Sequence, residues 1–401
     1  MHLNGIWSDA TLLLAVAPLA YYVLASVAAL RFFRRERARS LPPITPPVSV
    51  LKPVRGLDFG SYENFLSFCL QDYPDYELLF AVNDDKDPAV PLIQRLQREF
   101  PERRIRLFAG AERLGANRKI NKLARLVREA RNDILVISDG DVRVGPRYLR
   151  DVVAPFADPR TGLVTCFYRG IAERNLGAEL EAVGTSSDFF AGVLMAEWFE
   201  GMTFALGASM VTTKSWLDRI GGFATIADKH SDDYELGHRV AQAGGKVVLS
   251  REAVWTMYPA QTPRGFFEHQ VRWARTVRLC RPLSYAGLLF THGLPWAVLA
   301  AVVAPARWIG AAYVAAYVIL RMAMAWAVGV WGVGDDVLRR RLWLVPLRDA
   351  IHFGVWLVSF GSNRITWAGD EFEIQKSQMV VVEKKPETEA RTSVASGRAR
   401  G

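Results

Sequence analysis

Cysteine is scarce in this chain: Cys69, Cys166 and Cys280 are the only three in 401 residues, and no two form a CxxC pair. That spacing excludes a disulfide framework and a cysteine zinc site, and it marks the three as free thiols of a reducing compartment. Histidine is also sparse, and His230, His238, His292 and His352 have no spacing that makes a metal set, so they read as structural or surface residues. Zinc-finger spacing, RNA-binding aromatic signatures and internal repeats are absent. The formal charge of +9 therefore implies no nucleic-acid partner. Basic residues cluster instead beside apolar stretches, at Arg31 to Arg39, Arg272 to Arg281 and Arg339 to Arg341. This suits an anionic membrane surface and a phosphate-bearing substrate.

What the chain does have is apolar length. Ala10 to Leu30 is an uncharged run of the roughly 20 residues a bilayer span needs, and Arg31-Phe-Phe-Arg-Arg-Glu-Arg-Ala-Arg39 follows at once. The positive-inside rule puts the N-terminus outside and the following domain in the cytosol. A cleaved signal peptide is the competing reading, but its basic cluster would precede the apolar run. Leu283 to Ala306 and Trp308 to about Gly334 read as two further spans, with Arg339-Arg-Arg341 back in the cytosol. Arg321 then lies inside the membrane and has to find a partner or water. Leu344 to Phe360 holds Arg348 and Asp349, which favours a re-entrant or interfacial helix over a full span. The Ser/Arg/Gly-rich end from Lys376 reads as a disordered tail.

Between these segments the pattern changes period. Leu41-Pro-Pro-Ile-Thr-Pro-Pro47 is a stiff extended spacer. Strands are expected at Val48–Leu51, Tyr76–Val82, Ile105–Phe108 and Ile134–Ser138, with helices at Tyr62–Leu70, Pro91–Phe100 and Asn117–Ala130 between them. This alternation means a parallel, wound α/β sheet. Further strands are expected at Gly162–Tyr168, Phe204–Thr213 and Lys246–Leu249, the second with a glycine where a ligand or backbone comes close. Leu176 to Gly201 is a long mixed segment rich in small and aromatic residues. A helix opens at His230-Ser-Asp-Asp-Tyr-Glu-Leu-Gly237 with its acids at the N-terminal end, where simple capping would also place them.

The chemistry concentrates at Ile134-Leu-Val-Ile-Ser-Asp139-Gly-Asp141, where a buried apolar strand ends in two carboxylates. In open α/β sheets the ligand sits beyond the carboxyl ends of the strands. Residues two apart in extended chain point the same way, so Asp139 and Asp141 can turn to one divalent cation, and Gly140 lets a phosphate approach. An ordinary Asp-Gly turn is the bland alternative. A second acidic cluster, Asp84-Asp85-Lys86-Asp87, ends the Tyr76–Val82 strand. On the helix Pro263 to Arg278, Arg272 and Arg275 share a face and Arg278 follows, while Phe266, Phe267, Val271 and Trp273 supply apolar contact. Such a helix can lie on a bilayer and still present arginine to a diphosphate.

Read in order, Asp87-Pro88-Ala89, Asp139-x-Asp141, Asp233 and His269-Gln-Val-Arg272-Trp273 resemble the inverting GT-A glycosyltransferases. Within them the chain resembles the membrane-bound ceramide glucosyltransferases and the similar hopanoid-biosynthesis glycosyltransferases of bacteria. Lys52 in Leu51-Lys-Pro53, Gly56, Asp72-Tyr-Pro74, Lys119 in Asn117-Arg-Lys-Ile-Asn121, and Gly207 with Ser209 add to the likeness, which covers roughly Leu12 to Trp367. The fold so implied is a Rossmann-like mixed-sheet GT-A domain over 41–281. It follows an anchor at 1–40 and precedes membrane and interfacial helices at 282–375 and the tail at 376–401.

The resemblance also implies a reaction. Asp139 and Asp141 would hold Mg2+ or Mn2+ on the diphosphate of a UDP-sugar. Asp87, with Asp84 and Asp85, would contact the uridine, and Lys52 and Lys119 join the substrate-binding set. Asp233 would be the base that deprotonates the acceptor hydroxyl, and Arg272 and Trp273 would face the departing diphosphate. Two departures stand out. His269 occupies a position where the family has Gln or Arg, so His269 and Gln270 are both candidates for the diphosphate contact. Gly184-Thr-Ser186 is followed by Ser187, where animal ceramide enzymes carry histidine. The expected activity is inverting transfer of a hexose from UDP-glucose to ceramide at the cytosolic face of a bacterial inner membrane. A UDP-N-acetylglucosamine-dependent hopanoid enzyme, a processive polysaccharide synthase and a non-catalytic membrane adaptor are the alternatives.

Overall fold

The computed structural model describes residues 2–367, 370–375 and 378–381. Helix α1 (His2–Ala38) runs through the apolar stretch and on through the basic flank. At ~1.5 Å per residue it reaches about 55 Å, well beyond a ~30 Å hydrocarbon core. Its end is no loose tether, because Phe32 and Phe33 are buried with their rings 5.6 and 5.4 Å from that of Phe167 in the following domain. The proline-rich spacer then has neither helix nor strand.

The first half of the domain alternates as expected: β1 (Val48–Pro53), α2 (Ser61–Cys69), β2 (Tyr76–Val82), α3 (Ala89–Glu99), β3 (Arg104–Ala109), α4 (Arg118–Glu129) and β4 (Ile134–Ser138). β1 pairs in parallel with β2 and β4, and β2 with β3. Alternate residues enter two cores. Val48, Val50, Leu78, Phe80 and Val136 enter a core shared with Phe65 and Phe68 of α2 and Ile93 of α3, while Leu51, Leu79, Ala81, Leu135 and Ile137 enter the core that holds α4. A sheet covered on both faces needs the unbroken apolar runs seen in the sequence.

The second half holds β5 (Val142–Arg143), α5 (Tyr148–Val153), β6 (Thr161–Ala172), α6 (Leu176–Gly184), α7 (Phe190–Phe199), β7 (Ser209–Thr213), α8 (Lys214–Arg219), α9 (Asp232–Gln242) and β8 (Lys246–Tyr258). The sheet order is β3-β2-β1-β4-β7-β6-β8-β5, with β7 antiparallel to both β4 and β6 and β5 antiparallel to β8. The sheet is therefore mixed, as the resemblance implies, while the parallel sheet read from the alternation alone holds for β1 to β4 and for the β6–β8 pair. Apolar run length identifies a strand but carries no direction. β8 also runs nine residues past the expected Leu249, because Arg251 and Glu252 bulge out between the Cys166–Ser250 and Phe167–Ala253 pairs and break the apolar run without ending the strand. The mixed segment after β6 is one helical path, with a wide turn over Thr185–Phe189 joining α6 to α7.

Helices α10 (Pro263–Cys280), α11 (Pro282–Gly287), α12 (Gly293–Val303), α13 (Arg307–Ala325), α14 (Asp336–Arg341) and α15 (Val345–Ser359) follow. Among the described residues two helices are long and apolar enough to cross a membrane, Trp7–Ala38 and Arg307–Val333. The span expected over Leu283–Ala306 is instead bent by 48° at His292, and it counts as a third only if both arms form one span. There Gly293 N–H donates to the Tyr22 hydroxyl at 2.9 Å, tying the break to α1. α15, at 15 residues, is too short to belong to this set. A small antiparallel sheet, β9 (Arg364–Trp367), β10 (Asp370–Gln375) and β11 (Gln378–Val381), was not foreseen. It places Gln378–Val381 in a strand, and the rest of the expected tail lies outside the described residues.

Candidate active site

The Asp139 turn is held from behind. The Lys52 side chain is fully buried and its Nζ donates to the Asp139 carbonyl at 2.7 Å and to Ser138 Oγ at 3.3 Å, 3.9 Å from the Phe68 ring centroid. Burial pulls this amine down to about 7, against the opposing pull of Asp141 and Asp139. Lys52 is expected among the substrate contacts, and its ammonium meets the backbone of this turn. Sequence cannot tell an inward lysine at a strand end from an outward one when both flanks are apolar.

In front of the turn stands Lys119. Asn117 caps α4 by accepting from the Lys119 and Ile120 N–H groups, which places Lys119 in the first helical turn. Its Nζ lies 2.7 Å from Asp139 Oδ1 and 3.3 Å from Asp232 Oδ2. Burial opposes its charge, but Asp139 and Asp232 more than offset that and push the amine above its ordinary value. The three side chains bridge β4, α4 and α9, so they gather what the sequence separates by about a hundred residues.

Asp233 comes next. Its Oδ2 packs so closely on Gly207 that a Cβ there would sit 2.7 Å away. Gly237, one turn further along α9, would in turn drive a Cβ into the Ala205 and Phe204 backbone. Two glycines thus press the start of α9 onto the 204–207 loop and fix the carboxylate. The glycine expected to admit a ligand or backbone admits this carboxylate. Burial first, then Asp232, raises Asp233 to about 6, while Lys119 pulls the other way. Simple capping does not describe these acids: Asp232 faces Lys119, and Asp233 accepts locally from Tyr234 N–H at 2.8 Å.

On α10, His269 Nδ1 lies 2.9 Å from Glu181 Oε1, and Gln270 Oε1 accepts from Arg348 Nη2 at 2.6 Å. Both candidates for the diphosphate contact therefore have protein partners. Arg272 is half-buried, without an ion-pair partner among the described residues, and burial lowers it despite Glu181 nearby. Trp273 is exposed beside His269, ring centroids 5.8 Å apart. The Asp84 cluster divides. Asp84 and Asp85 are exposed, whereas Asp87 accepts from Gly56 N–H at 2.9 Å and Ala89 N–H at 3.0 Å, clipping the loop after β1 to α3. Sequence reasoning missed Asp58, Asp232, Glu181 and Arg348. Arg348 alone had a signal, a charge inside an apolar run.

Asp58, Asp139 and Asp141 gather hard oxygen donors of the kind Mg2+ and Mn2+ take. Burial, then Asp139 and Asp58, push Asp141 up to about 7, and burial with Asp139 raises Asp58 as well. A divalent cation is the group that relieves such crowding, so the donor chemistry fits. Among the described residues no three His, Cys, Asp or Glu side chains yet converge on one point, and Lys119 meets the Asp139 carboxylate.

A family model described as glycosyl transferase family 21 matches residues 10–380. Ceramide glucosyltransferase 3 of Caenorhabditis elegans is 28% identical over 235 residues, 57% of this chain and 50% of that protein. Ceramide glucosyltransferase 1 of the same organism is 27% identical over 236 residues, 58% and 50% of the two chains. The match thus spans half the length of these curated relatives. Among solved structures, a mannosyltransferase from Pyrobaculum calidifontis in complex with GDP-Man and Mn2+ superposes with a TM-score of 0.50 at 18% identity. It covers 86% of this chain and 99% of that one, which shows the GT-A fold.

Proposed function

The chain belongs to glycosyl transferase family 21, and from that membership and the geometry of the rim we propose that it transfers a hexose, glucose foremost, from a UDP-sugar to the hydroxyl of a membrane lipid, ceramide foremost. The observation that carries the reading is the Asp233 carboxyl, raised to about 6 and wedged on Gly207, next to the Asp232 that shares Lys119 with Asp139. A base of that strength is half ionised near pH 6 and mostly ionised at neutrality, as proton abstraction from an alcohol requires. Asp233 takes the hydroxyl proton as the oxygen attacks the anomeric carbon, and the bond to UDP breaks on the opposite face. Asp232, held by Lys119, leaves Asp233 as the free carboxylate, so one displacement inverts the centre. Arg272, half-buried and without an ion-pair partner among the described residues, would hold the departing diphosphate by charge-assisted hydrogen bonds. Trp273 offers an apolar wall beside it, and exposed Asp84 and Asp85 remain free to meet the nucleoside. Asp139 and Asp141, with Asp58, are the residues that would hold Mg2+ or Mn2+, which would supply Lewis-acid stabilisation of the leaving group.

Ceramide glucosyltransferase relatives support the lipid acceptor, and the Mn2+ in the Pyrobaculum enzyme supports the metal. The candidate spans and the basic end of α1 support a catalytic domain on the cytosolic face of an inner membrane. The test is UDP release by detergent-purified full-length protein with Mn2+, crossing UDP-glucose and UDP-N-acetylglucosamine against ceramide and a hopanoid polyol. Turnover with UDP-glucose and ceramide is expected, and turnover confined to the hopanoid pair moves the acceptor. A second expectation concerns Gly207. Gly207→Ala forces the Asp233 carboxylate aside, and a misplacement of this order costs about 100-fold in kcat. The donor KM should hold, and an unchanged kcat would remove Asp233 from its proposed role.

A further inference from the structure

Beyond the rim, the least satisfied charge in the described chain is Arg348. Its side chain is 6% exposed, Nη2 donates to Gln270, and Nε and Nη1 are buried without a hydrogen-bond partner. The guanidinium lies flat across Gly184, where an added Cβ would meet Nε. Gly184 is thus the gap that lets it reach from α15 to α10. A buried donor left unpaired costs the full desolvation of that group, more when charged, so two on one side chain call for an occupant.

We propose that Arg348 binds the polar headgroup of the lipid acceptor, donating from Nε and Nη1 to neutral hydroxyl or amide oxygens; this rests on the lipid-acceptor reading above. The chemistry of the occupant follows from the surroundings. Arginine only donates, so its partner presents lone pairs. The carboxylates around Arg348 have other partners, Asp349 with Arg321, Glu181 with His269 and Asp188 with His352, so none of them takes up Nε or Nη1. Placement agrees with the role: Gln270 is two residues from Arg272, while α15 packs among the C-terminal apolar helices from which a lipid would approach. Arg348 thus joins the lipid side to the diphosphate side of one site.

Two measurements test this on full-length protein in phosphatidylcholine nanodiscs, with a short-chain fluorescent ceramide as the probe. Arg348→Met should weaken probe binding by about 10–100-fold, the loss expected for hydrogen bonds to a charged group, and Arg348→Lys by less. Thermal melting of each variant identifies a folding defect. Independently of any variant, wild-type protein should bind ceramide more tightly than a long-chain alcohol lacking the amide and second hydroxyl. Equal affinity for the two lipids, or wild-type affinity in a folded Arg348→Met protein, overturns the proposal. UDP release by the wild type is read separately. Probe binding without turnover on any donor would sink the proposed reaction while leaving the Arg348 assignment standing.

Discussion

Asp233→Asn protein is expected to fold normally and to release UDP ~10²–10⁴-fold more slowly than wild type, the usual worth of a positioned general base. The amide keeps the shape that packs on Gly207 and loses only the ability to take a proton. The pH profile sharpens this. A carboxyl raised to about 6 is ionised above that pH and protonated below it, so wild-type kcat/KM should be level above pH 6 and fall tenfold per unit beneath it. Residual activity of Asp233→Asn should lack that acid limb. Were the limb to survive in the variant, another group would be the base, and Asp232 is the nearest. Its carboxylate is 3.3 Å from the Lys119 ammonium and would have to leave that partner first. Asp232→Asn should therefore loosen Lys119 and cost less than Asp233→Asn.

The residues of this site differ in how openly the sequence declares them. Asp139 and Asp141 do so by position, since an apolar run that stops at two acids is a strand delivering carboxylates to a sheet rim. Asp233 was legible only through the family resemblance, because acids at a helix start also suit the dipole. Lys52 and Asp87 show the limit of motif reading. Both belong to the site's construction, yet one supports the turn from within the core and the other clips two backbone amides. Asp58 and Glu181 carry no local pattern at all. They become site residues only because the 53–58 loop passes beside Gly140 and the α6 helix lies under α10. The mixed sheet is likewise expected only through the resemblance, as β7 has the composition of a parallel strand and only its pairing reveals the reversal. Tertiary neighbours decide each of these, and a single sequence does not print them.

The arginine inside the candidate span Arg307–Val333 carries the second large expected effect. Arg321 is 1% exposed, and its Nε and Nη2 donate to Asp349 at 3.0 and 2.8 Å, while Nη1 donates to the Ser187 carbonyl at 3.1 Å. Tyr317 donates its hydroxyl to the same carboxylate at 2.9 Å. The pair thus locks α13, α15 and the wide turn between α6 and α7 together, and α6 carries Glu181 beneath His269. Removing one partner leaves the other charged and buried without compensation, which costs about 3–5 kcal/mol. Asp349→Leu and Arg321→Met should each lower the melting temperature of the detergent-solubilised protein by several degrees. The pair as a whole is a different quantity. Two charges taken from water lose most of what their attraction returns, so replacing both at once with apolar residues of similar volume is often neutral. Arg321→Met with Asp349→Leu should therefore recover much of the lost stability, giving a coupling energy comparable to either single loss. Additive losses across that cycle would mean that water or lipid headgroups solvate each charge separately. The helices would then be held by their apolar faces and not by this bridge. Activity gives a second reading of the same cycle. The stable double variant still lacks the guanidinium that fixes Ser187, so its kcat should stay low wherever the α6 turn needs that anchor to keep Glu181 against His269.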